Sequence, residues 1–181
     1  MLHLSNCVHC LTVPPSIERA RAIGPYAGSL RDILHALKYD GRRSLAAPLA
    51  RRMREAGADL LEQADVVVPV PLHPRRRRER GFNQAADLAQ HLGLPVVQAL
   101  TRHKPTPSQT TLHATERHQN MHGAFRVSTR MTGLRGAAVM LVDDVRTTGA
   151  TLDSCAVALK GAGVRVVYAL TAARVESSRL R

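Results

Sequence analysis

The sequence predicts an α/β fold in which helices flank a parallel sheet, and three observations lead to this prediction. Ala137–Val142 is an apolar stretch typical of a buried strand, and Gly149–Lys160 has the pattern of a helix. Val164–Leu170 is a second apolar stretch, so strand, helix and strand follow one another as a βαβ unit, whose strands run parallel. The β-branched run Val66–Val70 adds another buried strand.

The composition is that of a folded globular protein. The chain has 181 residues, of which 44% are hydrophobic and 22% are charged. These values exclude a disordered chain, a collagen and a small disulfide-rich protein. Three cysteines are an odd number, which argues against a disulfide framework and for the reducing cytoplasm. We find neither a signal peptide nor an apolar run of about 18 residues that would span a membrane, and we expect a cytoplasmic protein.

The charge is strongly positive. The chain carries 26 Lys and Arg against 14 Asp and Glu, which gives a formal net charge of +12. A basic protein of this kind favours nucleic acid, nucleotide phosphates or an acidic membrane surface as its partner. The alternative is a general compositional bias toward arginine and alanine, and the charge alone does not separate the two.

The N-terminal third contains an irregular segment followed by helices. Proline and glycine interrupt any helix before residue 26, where the sequence has Pro14, Pro15, Gly24 and Pro25. Leu30, Ile33, Leu34 and Leu37 then recur at the spacing of an amphipathic helix, which should end near Asp40. A second helix is predicted over 45–56. The chain therefore divides into three parts: 1–25, 26–60 and 61–175.

Loops and a short helix separate the predicted strands of the third part. A loop over 71–81 follows the first strand, and a helix from Phe82 ends at Gly93. Another strand begins at Val96. The polar stretch 102–123 is predicted to be a long loop with a short helix near Thr115–Met121, and long loops of this kind are often functional.

One segment, 139–151, carries the chemistry. Its strand delivers Asp143 and Asp144 to the carboxyl edge of the sheet, where open α/β sheets bind ligands. A loop with threonines and Gly149 then turns into a helix, whose N-terminal N–H groups are suited to phosphate. The carboxylates would repel phosphate and suit hydroxyl groups or a divalent cation, so the pattern fits a ribose 5-phosphate. The alternative is that the aspartates only cap the turn.

This segment resembles the 5-phosphoribosyl-1-pyrophosphate (PRPP) motif of type I phosphoribosyltransferases. The resemblance implies that Asp143 and Asp144 bind the ribose hydroxyls. It implies that the following residues hold the 5-phosphate, namely Arg146, Thr147, Thr148, Gly149, Ala150 and Thr151. It also implies a five-stranded parallel core with a variable hood, and magnesium that is bound mainly through PRPP.

Further motifs narrow the resemblance. They occur in the order L-K-Y (37–39), V-P-V-P-L (68–72), R-G-F-N-Q-A (80–85), Q-x-x-L (109–112), R-x-x-N (117–120) and A-F (124–125). In this order, and ahead of L-V-D-D-V, they resemble the ComF family of competence proteins. On this resemblance, 1–25 is a truncated zinc-ribbon-like segment, 26–60 is the N-terminal helical part, and 61–175 is the phosphoribosyltransferase-like domain.

The resemblance also implies roles for the loops around the site. The loop after the first strand contacts pyrophosphate in phosphoribosyltransferases, which assigns that role to Val70, Pro71, Leu72 and His73. Arg80 and Asn83 are expected to add contacts, because arginine binds phosphate in a bidentate manner. Asn83 could instead make only a contact at a helix N-terminus. Arg117 and Asn120 lie where the family has its flexible active-site loop.

The arginine run over 75–78 has two interpretations. It can be a solvated surface loop, or it can grip the phosphate backbone of single-stranded DNA. Aromatic residues are few, and Phe82 beside the run is the best candidate for stacking on a base. The DNA-binding candidates are therefore Arg75, Arg76, Arg77, Arg78 and Phe82.

The cysteines suggest at most an incomplete zinc site. Cys7 and Cys10 form one C-x-x-C pair, whereas many ComF-like proteins begin with two such pairs that bind zinc. One pair cannot close a tetrahedral structural site, so the start is truncated, the zinc is shared or lost, or the pair is a remnant. Cys155 lies in the helix after the phosphate loop, where we expect it to serve packing.

Three functions follow from these residues. The first is a ComF-like protein of natural transformation that binds PRPP or a related phosphate with magnesium and handles single-stranded DNA, together with competence or recombination proteins. The second is a metabolic phosphoribosyltransferase that transfers the phosphoribosyl group of PRPP to an unidentified base. The third is a general nucleic-acid binder whose phosphate pocket is vestigial.

Overall fold

Six strands and six α-helices make up the described part of this computed structural model, residues 16–103, 123–128 and 132–176. The strands are β1 (Arg19–Pro25), β2 (Val66–Pro69), β3 (Leu100–Arg102), β4 (Phe125–Val127), β5 (Ala138–Arg146) and β6 (Val166–Arg174). The helices are α1 (Gly28–Tyr39), α2 (Ala46–Ala56), α3 (Ala58–Leu61), α4 (Pro74–Arg80), α5 (Gln84–Ala89) and α6 (Ala150–Gly161). Short 3₁₀ turns cover Arg43–Leu45 and Thr132–Leu134.

The central sheet is parallel, as predicted. Its strand order is β1-β6-β5-β2, and β3 and β4 form a separate antiparallel hairpin. Val96 makes a single parallel bridge to Val67 of β2. This bridge lies on the outer side of β2, where the expected fifth strand would pair. The predicted strand at Val96 is thus reduced to one bridge in the described residues.

Two apolar clusters cover the two faces of the sheet. Side chains alternate along a strand, so Met140 and Val142 of β5 enter the first cluster while Val139 and Leu141 enter the second. The first cluster is closed by α1, α2 and α5, and the second by α6 and the β3–β4 hairpin. Cys155 is buried in the second cluster, as expected for a packing residue.

The amphipathic helix of the N-terminal part is confirmed. Leu34 and Leu37 of α1 are fully buried in the first cluster, whereas Ile33 is 37% exposed. The predicted helix over 45–56 corresponds to α2, and its proline lies in the first turn, where the missing N–H costs no helix hydrogen bond. None of the helices in the described ranges is long and apolar enough to cross a membrane.

The expectation that 1–25 is irregular is wrong for residues 19–25. These residues form β1, which pairs in parallel with β6 from Arg19↔Tyr168 to Pro25↔Arg174. Because β1 is an outer strand, Gly24 and Pro25 are tolerated there although they would interrupt a helix. The expected parts 1–25 and 26–60 therefore both contribute to the same layered structure as the sheet.

The predicted loop over 71–81 contains a helix instead. Pro74 begins α4 at a position where its fixed backbone angle favours a helix, and Nδ1 of His73 accepts a 3.3 Å hydrogen bond from the Arg75 N–H. The helix ends at Gly81, whose φ of +76° suits a residue without a side chain. In the predicted loop 102–123, residues 104–122, with the short helix expected there, lie outside the described residues.

Candidate functional site

A cavity of about 240 Å³ opens at the carboxyl ends of β2 and β5. This is the edge at which open α/β sheets bind ligands. The residues that line it are Tyr26, Lys38, Tyr39, Val70, Pro71, Leu72, Arg76, Arg80, Gln84, Arg102, Asp143, Asp144, Val145, Arg146, Thr147, Gly149, Thr151, Leu152 and Val175. The sheet edge, the loop after β2 and the loop after β5 therefore meet where the sequence predicted a ligand.

The two aspartates lie within β5, which continues past them to Arg146. Their carboxylates also bond to the backbone: Oδ1 of Asp143 accepts from the Asp144 N–H at 2.9 Å, and Oδ1 of Asp144 accepts from the Val145 N–H at 2.7 Å. Burial, together with the neighbouring Asp144 carboxylate, raises the pKa of Asp143 well above its ordinary value. The pair is therefore not a set of two equivalent charges.

Lys38 forms an ion pair with Asp144 that was not predicted from the sequence. Its Nζ lies 2.6 Å from Oδ2 of Asp144, and the two side chains are only 16% and 11% exposed. Burial alone would lower the pKa of Lys38, but the carboxylates of Asp144 and Asp143 raise it above its ordinary value. The L-K-Y motif marked Lys38 in the sequence without giving it a role.

Four of the six residues predicted to hold the 5-phosphate line the cavity. Arg146, Thr147, Gly149 and Thr151 line it. Gly149 has a φ of +86° and precedes α6, so the chain turns there in a conformation that favours glycine. Thr148 instead accepts a long 3.4 Å hydrogen bond from the Ala150 N–H, and Ala150 is buried among apolar residues.

The loop after β2 reaches the cavity through Val70, Pro71 and Leu72. Asn83 holds this loop through hydrogen bonds. Its Nδ2 donates to the Val70 carbonyl at 3.0 Å, and its Oδ1 accepts from the Ala85 N–H at 3.1 Å. Asn83 is thus the N-cap of α5, and His73 caps α4, so neither side chain is among those that line the cavity.

Gln84 is a second site residue that was not predicted from the sequence. It is only 2% exposed, yet it lines the cavity, and its Nε2 makes no hydrogen bond within the described part of the chain. A buried amide donor without a protein acceptor is costly unless water or a ligand accepts from it. The R-G-F-N-Q-A motif contains both Asn83 and Gln84. Only the fold shows that Asn83 caps a helix and that Gln84 lines the cavity.

The arginines of the run lie on different faces of α4, and only some of them reach the cavity. Arg76 and Arg80 line the cavity, whereas Arg75 pairs with Glu79 at 2.8 Å, and Arg77 and Arg78 are exposed. With Lys38, Arg102 and Arg146, five cationic side chains and two carboxylates line the cavity. This excess of positive charge suits a ligand with several phosphate groups.

The exposed aromatic ring at the cavity is Tyr39 rather than Phe82. Phe82 is half-buried against the first cluster, and the guanidinium of Arg43 lies 5.4 Å from its ring centroid. Tyr39 is 63% exposed at the rim, with the guanidinium of Arg80 5.0 Å from its ring centroid. Of these two rings, that of Tyr39 on α1 is therefore the more exposed.

Other predicted residues lie outside the described residues: Arg117, Asn120, Cys7 and Cys10. Within the residues that the structure does describe, no group of three or more His, Cys, Asp or Glu side chains is placed to hold a metal ion.

Comparison with known proteins agrees with this geometry. The family described as "Phosphoribosyl transferase domain" matches residues 46–181. The DNA utilization protein YhgH of Salmonella typhimurium is 35% identical, and the match covers 89% of this chain and 74% of that protein. Competence protein F of Haemophilus influenzae is 31% identical, and the match covers 95% of this chain and 80% of that protein.

Among solved structures, the orotate phosphoribosyltransferase of Aeropyrum pernix is similar to this chain with a TM-score of 0.45 and 19% identity. The match covers 74% of this chain and 73% of that one.

Proposed function

Because this chain belongs to the phosphoribosyl transferase domain family, in its ComF group, we propose that it is a competence protein that binds PRPP or a related phosphoribosyl ligand. The proposal extends to the handling of single-stranded DNA in the cytoplasm during natural transformation, together with competence or recombination proteins. The observation that carries it is the cavity lined by the acid pair, five cationic side chains and the loop that contains Gly149.

Each part of the ligand has a suitable partner in the cavity. Ribose hydroxyls donate hydrogen bonds, and carboxylates such as Asp143 and Asp144 accept them. The loop from Arg146 to Thr151 leads into α6, whose N-terminal end attracts the 5-phosphate. The pyrophosphate group would lie toward Arg76 and Arg80, because guanidinium groups bind phosphate oxygens in a bidentate manner.

In this proposal a magnesium ion binds together with the ligand. Magnesium bound with PRPP would neutralise part of the pyrophosphate charge, and the ligand's own phosphate oxygens would hold it. Asp144 is a poor direct ligand for a metal ion, because its Oδ1 accepts from the Val145 N–H and the Lys38 ammonium lies 2.6 Å from its Oδ2. A zinc ion at Cys7 and Cys10 stays a prediction from the sequence.

Titration calorimetry tests the phosphoribosyl ligand. We expect PRPP with Mg²⁺ to bind the unmodified chain, and the double variant Asp143→Ala with Asp144→Ala to lose that binding at least tenfold. Asp59→Ala is the matched control, because Asp59 pairs with Arg19 and Arg21 and does not line the cavity. Equal binding by the acid-pair variant, with its circular dichroism spectrum unchanged, would remove the phosphoribosyl proposal.

The DNA part of the proposal predicts a salt dependence. Arg77 and Arg78 are exposed on α4 near the cavity, so their replacement by alanine should weaken single-stranded DNA binding and reduce the slope of log K against log salt. The reduction should be about 1.4 if each contacts one phosphate, since each contact contributes about 0.7. The measurement is fluorescence anisotropy with a labelled oligonucleotide at several salt concentrations.

An equal loss of charge elsewhere provides the control. Arg51→Ala with Arg52→Ala removes two exposed arginines from α2 and should leave the slope nearly unchanged. Equal slopes for both double variants and the unmodified chain would show that α4 does not grip the DNA backbone.

A second candidate function is supported by the rim of the cavity. Tyr39 presents an exposed ring beside Arg80, which is suited to stacking an acceptor base next to a bound phosphoribosyl group. A phosphoribosyltransferase would displace pyrophosphate from PRPP with such a base. Pyrophosphate release with a panel of nucleobases tests this activity. If no base leads to release, the transferase function is ruled out and ligand binding is the function that remains.

A further inference from the structure

Lys38 is held against the acid pair by the packing of its helix. It is the next-to-last residue of α1, whose Leu34 and Leu37 are fully buried in the first cluster. This helix precedes residue 46, where the match to the phosphoribosyl transferase family begins. The ammonium group thus reaches the sugar-phosphate subsite from a segment outside the matched domain.

The ion pair also changes what the acid pair can bind. Oδ1 of Asp144 accepts from a backbone N–H, and its Oδ2 lies 2.6 Å from the Lys38 ammonium. A divalent cation prefers a set of carboxylate and other oxygen ligands, and no cluster of three or more such acidic or metal-ligating side chains occurs in the described ranges. The position beside Asp144 therefore already holds a positive charge that belongs to the protein.

An ammonium group can also serve the sugar. It carries three N–H donors, so one can be directed at Asp144 while others reach a hydroxyl or phosphate oxygen of a ligand. The carboxylates keep Lys38 charged despite its burial, as the raised pKa indicates. Arg76, Arg80, Arg102 and Arg146 line the same cavity, so an anionic ligand meets a cationic environment without any metal.

We propose that Lys38 is the resident counter-cation of the acid pair, so that this site binds a ribose 5-phosphate group without a divalent cation. The inference rests on the proposed phosphoribosyl function and adds to it a positioning residue, Lys38, which precedes the segment that matches the family. Lys38 is a positioning residue in this account: it holds Asp144 and supplies charge.

Calorimetry with ribose 5-phosphate, in EDTA and in Mg²⁺, tests the inference. We expect the unmodified chain to bind in EDTA with a Kd within threefold of that in Mg²⁺. Lys38→Met should weaken binding in EDTA at least tenfold and recover part of it in Mg²⁺, because Oδ2 of Asp144 becomes available to the metal. Lys38→Arg should keep metal-independent binding, and Lys160→Met, an exposed lysine on α6, is the control.

The outcomes separate this inference from the proposed function. Loss of ribose 5-phosphate binding by the unmodified chain in EDTA, with binding in Mg²⁺, overturns the role of Lys38 and needs no folded variant. Equal binding by Lys38→Met in EDTA overturns it as well. If neither ribose 5-phosphate nor PRPP binds under any condition, the proposed phosphoribosyl function itself fails.

Discussion

Asp143 and Asp144 are neighbours in sequence, but they face different surroundings because adjacent residues of a strand point to opposite faces of the sheet. Asp144 meets Lys38 of α1 on one side. The Asp143 carboxylate lies on the side of α6. The pKa of the Cys155 thiol is raised there, mainly by burial and secondly by this carboxylate. One aspartate thus has a charged partner, and the other has an environment that favours its neutral form.

Replacing each aspartate by asparagine should therefore change stability in opposite directions. The folded-state pKa of Asp143 is raised, so its ionised form opposes folding at neutral pH, and Asp143→Asn should stabilise the ligand-free protein. Asp144→Asn leaves the buried Lys38 without its carboxylate, which should cost on the order of 3 kcal/mol. Urea unfolding at pH 7 measures both changes.

The gain from Asp143→Asn should also depend on pH. It should shrink as the pH falls through the raised folded-state pKa of Asp143 toward the unfolded-state value, because the native carboxyl becomes protonated there. A gain that stays constant down to low pH, or changes of the same sign for both variants, would contradict this account.

At the scale of single elements, α1 connects the core to the site. Its buried face contributes Leu34 and Leu37 to the first cluster, and its C-terminal end carries Lys38 and Tyr39 to the cavity. The position of the ammonium group therefore depends on how well this one helix packs.

Leu34→Ala should cost about 2–5 kcal/mol, since a fully buried leucine leaves a cavity when it is truncated. The neighbouring Ile33 is 37% exposed, so Ile33→Ala should cost less than about 1 kcal/mol and is the control on the same helix. Denaturant midpoints provide the measurement. Equal losses for both variants would mean that α1 is not anchored through its buried face.

The elements with a regular apolar pattern could be predicted from the sequence. The apolar stripe of α1 and the apolar runs of β5 and β6 on either side of α6 predict these elements, because the period of the apolar residues agrees with their burial. The strand β1 was missed because an outer strand that alternates arginine and alanine has no apolar run. The helix α4 was missed because its five arginines carry no apolar stripe, so the cap at His73 and Pro74 was the only signal.

The site could be predicted in part. The acid pair, the Gly149 loop and Arg80 line the cavity, because one contiguous motif and one local motif specify them. Lys38 and Gln84 needed the fold, because their relation to the cavity depends on which helix faces which strand. The sequence left open whether Asn83 contacts the ligand or only the start of a helix, and the structure shows that it caps α5 while Gln84 lines the cavity.

For the whole molecule, the boundary of the family match should not coincide with the boundary of a stable chain. Residues 46–181 match the family, but β1 covers the edge of β6, and α1 closes the first cluster. A chain shortened to 46–181 should therefore aggregate or lose cooperative unfolding, because it exposes a strand edge and apolar surface.

A chain of 16–181 is the matched comparison, because it keeps every described strand. We expect it to elute as a discrete species in size-exclusion chromatography and to unfold cooperatively in urea. A 46–181 chain that unfolds at the same urea midpoint would show that β1 and α1 add nothing to the stability of the sheet.

The pairing of β1 with β6 has a consequence for biosynthesis. Arg19 of β1 lies opposite Tyr168 of β6, and no other strand of the described sheet flanks β1. At a translation rate of 5–20 residues per second, β1 leaves the ribosome roughly 7–30 s before its partner does. Throughout that interval the nascent chain holds an unmatched strand, so slowing elongation between the two should increase the demand for chaperones.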